Sequence, residues 1–210
     1  PREELLAQLR KACEEWGFFQ VVGHGVDLYQ CQQALDVTRE FFQLESAEKL
    51  FFERDAESPW GFYDRELTKN LRDRKEIFDF SLGEEVLWPE SMPEFRRSLD
   101  SYTQQIHQFS LQLLQLLAES YSRQTQTLTQ CFNNEHSSFT RLNYYPNCFS
   151  DCAAEAAEDE TDLADLGISE HTDAGGLTVL LQDSTAGLQM QLDGDWQTIE
   201  PVSGAFTINV

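Results

Sequence analysis

The chain has 210 residues, 40% of them hydrophobic and 25% charged, with a formal net charge of −22. That balance suits one globular core, and so acidic a surface repels phosphate backbones and anionic headgroups, which excludes nucleic acid and membrane surfaces as partners. No apolar run reaches membrane-spanning length, and Pro1-Arg2-Glu3-Glu4 does not read as a secretion signal.

Leu5, Leu6, Leu9, Ala12, Cys13 and Trp16 recur at helical spacing and predict a first helix ended by Gly17. Phe18 to Val22 is rich in strand formers and is closed by Gly23-His24-Gly25. Asp27 then caps a second helix to about Gln43, with Leu28, Cys31, Leu35, Thr38 and Phe42 as its stripe. Residues 53–74 read as mostly loop, followed by a strand at Glu76 to Leu82 with Phe78, Phe80 and Leu82 on one face. From Pro93, Phe95, Leu99, Tyr102, Ile106, Phe109, Leu113, Leu116 and Ser120 predict a long helix that packs on a core.

Beyond Phe139 short strand-like runs follow one another: Phe139–Tyr145, Leu177–Gln182, Leu188–Leu192, Trp196–Ile199 and Phe206–Val210. Such a series suggests a sandwich or jelly roll. The organisation is read as an α/β region over 1–92, a helical spacer over 93–136, and the first part of a strand domain over 137–210. Residues 151–170 hold eight acids and no Lys or Arg, read as a solvated loop. The five cysteines (13, 31, 131, 148 and 152) are scattered and odd in number, which favours a reducing, cytoplasmic setting, with Cys148 and Cys152 as loop thiols.

The chemistry gathers at His171-Thr172-Asp173. In an extended segment, side chains two apart point the same way, so an imidazole and a carboxylate can converge on one cation. This pair matches two ligands of a 2-His-1-carboxylate triad for Fe(II). Upstream, Arg141, Asn143 and Tyr145 share one face of a strand that ends at Pro146, a cation, an amide and a phenol suited to a dicarboxylate. A polar sheet face meeting solvent explains the same pattern.

Asn143-Tyr144-Tyr145-Pro146, His171-Thr172-Asp173, Gly175 to Asp183 and Gly187-Leu188-Gln189 together resemble the isopenicillin-N-synthase-like 2-oxoglutarate/Fe(II) dioxygenases, as does Trp16 to Val26. The resemblance runs over nearly the whole chain in the family's order. It implies a mainly β fold with flanking helices, a double-stranded β-helix (jelly roll, cupin-like) core that is incomplete at the C-terminus. It implies Fe(II) on His171, Asp173 and a second His, which are also the catalytic residues. It further implies 2-oxoglutarate bound by Tyr145 and Asn143, and a small-molecule substrate lined by Arg141, Phe78 and Phe80; the charge of Arg141 itself suits pairing with a carboxylate or phenolate. Ascorbate is an expected auxiliary reductant, and the protein an expected monomer. The implied reaction hydroxylates or desaturates the substrate with O2 and releases succinate and CO2.

After Asp173 the chain has no His and no Arg, so the second iron ligand and the co-substrate Arg of the family are missing. We read the chain as stopping before its iron site is complete. His24 sits in a Gly-His-Gly turn, His107 on the long helix and His136 in a polar turn, and all three are read as structural or solvated. Two other readings keep the fold: an Fe(II) oxidase that does not use 2-oxoglutarate, and a non-catalytic binding protein.

Overall fold

The computed structural model describes residues 2–121, 137–146 and 167–210. His136, Cys131, Cys148, Cys152 and acidic residues 151–166 lie outside them. Among the described residues there are four α-helices: α1 (Arg2–Glu15), α2 (Leu28–Phe42), α3 (Ser46–Lys49) and α4 (Pro93–Ser120). The same residues hold ten strands: β1 (Phe18–Val21), β2 (Gly61–Tyr63), β3 (Leu67–Thr68), β4 (Leu71–Arg72), β5 (Glu76–Phe80), β6 (Thr140–Tyr144), β7 (Thr178–Leu181), β8 (Gln189–Leu192), β9 (Asp195–Thr198) and β10 (Phe206–Asn209). The described residues are thus mixed α and β rather than mainly β, because α4 alone runs 28 residues while β2 to β4 have two or three each.

Local signals set several boundaries. Gly17 takes φ 64°, a left-handed conformation costly for a residue with a Cβ, and its N–H returns to the Ala12 carbonyl at 3.0 Å, closing α1. Asp27 caps α2 through Oδ1, which accepts from the Tyr29 N–H at 2.9 Å. Pro93 opens α4, where its missing N–H costs nothing.

Two compact units interleave along the chain. The first comprises residues 1–35, 101–137 and 173–210. Its sheet has the order β1-β10-β7, antiparallel throughout, with Phe19 opposite Ile208 and Ile208 opposite Val179. Phe206 and Ile208 are fully buried, among a core that also takes Phe109, Leu113 and Leu117 from α4.

The second unit comprises residues 36–100 and 138–172. Its sheet has the order β2-β5-β6, with Phe62 opposite Phe78 and Phe78 opposite Leu142. An aromatic core of Phe41, Phe62, Phe78, Phe80 and Phe95 is wholly enclosed. Phe41 stacks on Phe95 at 4.7 Å between centroids, and Phe78 meets Phe41 at 5.0 Å and Phe95 at 5.3 Å edge-on.

The stripe expected on α2 is corrected. Leu28 is 57% exposed, and the buried positions are Cys31, Ala34, Val37, Phe41 and Phe42. Small Ala34 lets neighbours approach closely, so helical period outweighs side-chain size in choosing the face.

The stretch 53–74 is likewise more ordered than a loop. β3 and β4 form a hairpin whose turn, Lys69-Asn70, holds φ values of 52° and 64°. Two left-handed residues make a tight primed turn whose twist matches its strands. Asn tolerates that conformation, but Lys-Asn is a fainter signal than Asn-Gly.

Candidate functional site

Register decides which side chains of β5 and β6 share a face. Ile77 pairs with Asn143 and Asp79 with Arg141, while Phe78 pairs with Leu142 and Phe80 with Thr140. Side chains alternate along a strand, so Asp79, Arg141 and Asn143 occupy one face and Phe78 and Phe80 the opposite one. The expectation that Arg141, Phe78 and Phe80 line one pocket is therefore corrected. Phe78 and Phe80 expose no surface and pack against Trp88 at 5.5 and 5.1 Å.

Arg141 sits in a network of charges. Its Nε and Nη2 donate to both oxygens of Asp79 at 2.8 and 2.7 Å, a bidentate pair. Its Nη1 donates to Glu66 Oε2 at 3.1 Å, and Nη2 lies 3.1 Å from Glu66 Oε1. Arg54 reaches the same two acids, at 3.3 Å each. Lys75 lies 3.1 Å from Glu66 and 3.6 Å from Asp73. The side chains of Asp73, Asp79 and Lys75 expose 1%, 4% and 3% of their surface, so these charges are withdrawn from water. Withdrawal is tolerable because every charge faces an opposite one.

Titration behaviour follows from that arrangement. Burial pushes the Glu66 carboxyl up, but Lys75, Arg141 and Arg54 outweigh it and hold it below its ordinary 4.5. Burial works against the Arg141 charge too, yet Asp79 and Glu66 prevail and raise its pKa. One atom stands apart: Asp73 Oδ1 is buried with no hydrogen-bond partner among the described residues, while Oδ2 accepts from Thr68 Oγ1 at 2.9 Å.

Tyr145 follows β6 and is 49% exposed. Its ring lies so close over Gly167 that a Cβ there would overlap it, and the Arg74 N–H holds the Gly167 carbonyl at 2.8 Å. Loss of hydration around the phenol, reinforced by Asp73, raises its pKa, so the hydroxyl stays a donor at neutral pH. Asn143 is exposed on the Arg141 face.

The two metal-ligand candidates have separate surroundings. His171 Nδ1 lies 3.0 Å from the Ser169 carbonyl oxygen. A carbonyl only accepts, so Nδ1 carries the proton and the lone pair sits on Nε2, the tautomer that ligates a divalent metal. Asp173 Oδ2 accepts from Asn209 Nδ2 at 2.9 Å, which fixes the carboxylate's orientation. A hollow of about 470 Å³ next to His171 is lined by Leu67, Thr68, Lys69, Glu170 and Thr172. Among the described residues no three His, Cys, Asp or Glu side chains gather as a metal set. An imidazole nitrogen and a carboxylate, each taken by itself, have the donor chemistry that suits a ferrous ion.

His24 is held as a structural residue. Its Nδ1 accepts from the Val26 N–H at 3.1 Å and its Nε2 donates to the Gly204 carbonyl at 3.0 Å. The ring also lies on Phe206 at 4.1 Å. Both nitrogens being engaged, it offers no lone pair to a metal. Lys75 and Glu66 were missed by reasoning from sequence; a Lys and a Glu in a loop signal nothing until folding buries them together.

Comparison with known proteins adds independent findings. Residues 1–100 match the model for the non-haem dioxygenase in morphine synthesis N-terminal region, and residues 136–210 match the 2OG-Fe(II) oxygenase superfamily. The whole chain aligns with naringenin,2-oxoglutarate 3-dioxygenase of Callistephus chinensis at 33% identity, covering 58% of that protein. It aligns with flavone synthase of Petroselinum crispum at 32%, covering 56%. The crystal structure of JOX2 in complex with 2OG, Fe and JA superposes with a TM-score of 0.83 at 28% identity, over 99% of this chain and 61% of that one. A full-length Neurospora crassa protein, crystallised in complex with alpha-KG and thymine, shares the fold with a TM-score of 0.83 at 18% identity, over 99% of this chain and 68% of that one. The chain spans just over half the length of the curated relatives named here. With residues 1–100 and 136–210 matched to these two dioxygenase models, this chain belongs to the 2-oxoglutarate/Fe(II)-dependent dioxygenases.

Proposed function

We propose that the protein is an oxygenase that hydroxylates or desaturates a small organic molecule, consuming O2 and 2-oxoglutarate and releasing succinate and CO2. The observation that supports this reading is the 3.0 Å contact of His171 Nδ1 with the Ser169 carbonyl, which favours the tautomer that binds a divalent metal through Nε2, two positions from Asp173 in the chain. Ferrous iron, when bound, supplies the redox chemistry that no amino-acid side chain provides. His171 Nε2 and the Asp173 carboxylate would hold it. The strands from β6 to β10 would form part of a double-stranded β-helix, as the resemblance implies.

Tyr145 and Asn143 would bind 2-oxoglutarate. A neutral phenol donates to a carboxylate, and the ring packs against Gly167. Arg141 would stand on the substrate side of the site, held by Asp79 and Glu66. The scattered cysteines support a reducing compartment such as the cytoplasm; Cys13 and Cys31 are both free thiols. Among the described residues, no helix is long and apolar enough to cross a membrane.

In the full natural protein, Asp173→Ala is expected to remove stoichiometric Fe(II) binding and to lower succinate formation at least about 100-fold, following loss of a metal ligand. Tyr145→Phe is expected to weaken 2-oxoglutarate binding about tenfold while Fe(II) still binds. Calorimetric titration with each ligand measures both, and undiminished Fe(II) binding by the Asp173 variant would refute the ligand assignment.

A further inference from the structure

Within the second compact unit an ammonium group is buried at the rim of the aromatic core, where a charge is costly. Lys49, the last residue of α3, exposes 6% of its side chain, and Glu76, the first of β5, exposes 19%. Lys49 Nζ donates to Glu76 Oε2 at 2.6 Å and to the Phe42 carbonyl at 3.1 Å, and it lies 5.6 Å from the centre of the Phe62 ring. Phe42 ends α2, so its carbonyl is one of those that a helix leaves without an internal partner. A cation there also meets the negative end of the helix dipole. One ammonium thus joins α2, α3 and β5.

What that ammonium holds lies next to Tyr145. Glu76 stands opposite Tyr144 in the pairing of β5 with β6. The Tyr144 ring stacks on Phe42, with 5.2 Å between centroids and 10° between planes. Tyr144 is therefore fixed twice, its backbone by Glu76 and its ring by Phe42, and Lys49 binds both of those residues. Tyr145 is the next residue, and Pro146 behind it restricts it to extended geometry. Alternation then turns its ring away from the Tyr144 side, and the ring lies over Gly167.

An apolar pair could fill the same space, since exchanging a buried ion pair for well-packed hydrophobic residues is often neutral or stabilising. What the charged pair adds is direction, because charge-assisted hydrogen bonds fix both distance and angle. Resting on the reading that Tyr145 binds 2-oxoglutarate, we infer that Lys49 is a positioning residue for that tyrosine. With Glu76 and Phe42 it sets the end of β6 from which the phenol reaches the co-substrate. Buried as it is, Lys49 acts through Tyr144 and not by contact with a ligand.

The test separates position from stability in the full-length protein under anaerobic conditions. Calorimetry gives dissociation constants for Fe(II), and for 2-oxoglutarate with Fe(II) present, while urea denaturation gives stability. Lys49→Met alone leaves the Glu76 charge unmatched and is expected to lower the urea midpoint. Lys49→Met combined with Glu76→Met is expected to return the midpoint to near the wild-type value and to bind Fe(II) as the wild type does. It is nevertheless expected to bind 2-oxoglutarate about fivefold or more weakly. A double variant of restored stability that binds 2-oxoglutarate as tightly as the wild type overturns the inference. Should the double variant not fold, Phe42→Leu takes its place, since it removes the ring from Tyr144 and keeps the ion pair. About threefold weaker 2-oxoglutarate binding is expected of it, and wild-type binding overturns the inference. Tyr145→Phe tells the two readings apart. If it leaves 2-oxoglutarate binding unchanged, the co-substrate role of Tyr145 fails and the inference with it; if it weakens binding and the double variant does not, the inference alone fails.

Discussion

Glu66 shows how one carboxylate reconciles opposed demands. Burial alone would drive it to protonate, but three cations keep it ionised, and its pKa falls below the ordinary 4.5. A carboxyl whose folded pKa is lowered stabilises the fold above its unfolded pKa, and that contribution disappears as pH falls through the folded value. Wild-type unfolding free energy should therefore drop more steeply than that of Glu66→Gln between about pH 5 and pH 3. At neutral pH the variant should be the less stable by roughly 1–3 kcal/mol, the cost of leaving buried donors unmatched. Urea denaturation at a series of pH values measures both, and parallel curves would show that Glu66 titrates alike in the folded and unfolded chain. Tyr145 shows the converse: loss of hydration and nearby Asp73 both act against the phenolate and raise its pKa.

At the scale of elements, pairing between β5 and β6 sorts residues that composition cannot. Periodicity alone puts Phe78 and Phe80 on one face of β5, and puts Arg141 with Asn143 on one face of β6. Which face of one strand aligns with which face of its partner depends on register, and a slip by one residue would exchange them. The observed register sends the rings into a core with Phe41 and Phe95 and the charges to the opposite side. Phe78→Ala should accordingly cost about 3–5 kcal/mol in stability, as for other large-to-small changes in packed cores. Chemical denaturation checks it, and a loss below about 1 kcal/mol would show that the ring is not a core element. Helix α4 was legible from Pro93 to Ser120 because its apolar stripe and opening proline are local signals. The β3–β4 hairpin was not legible, since its turn is encoded by two residues that adopt left-handed backbone only when their strands pair.

Over the molecule as a whole, a net charge of −22 is a standing repulsion that folding concentrates. Added salt screens it, and the Debye length falls from about 30 Å at 0.01 M to about 10 Å at 0.1 M. The melting temperature should rise by several degrees over that range, on the order of 1 kcal/mol of relieved repulsion. Circular dichroism melts measure it; a fall would mean that ion pairs such as Arg2 with Glu119 dominate the response.

The ordered motifs, the His171-Thr172-Asp173 spacing and the pattern of helices and strands were set by the sequence itself, because periodicity, capping and metal-ligand chemistry are properties of neighbouring residues. The pairing of β5 with β6 and the charge network around Arg141 were decided only by tertiary structure. Each of these depends on groups that the chain keeps apart and folding brings within hydrogen-bond reach.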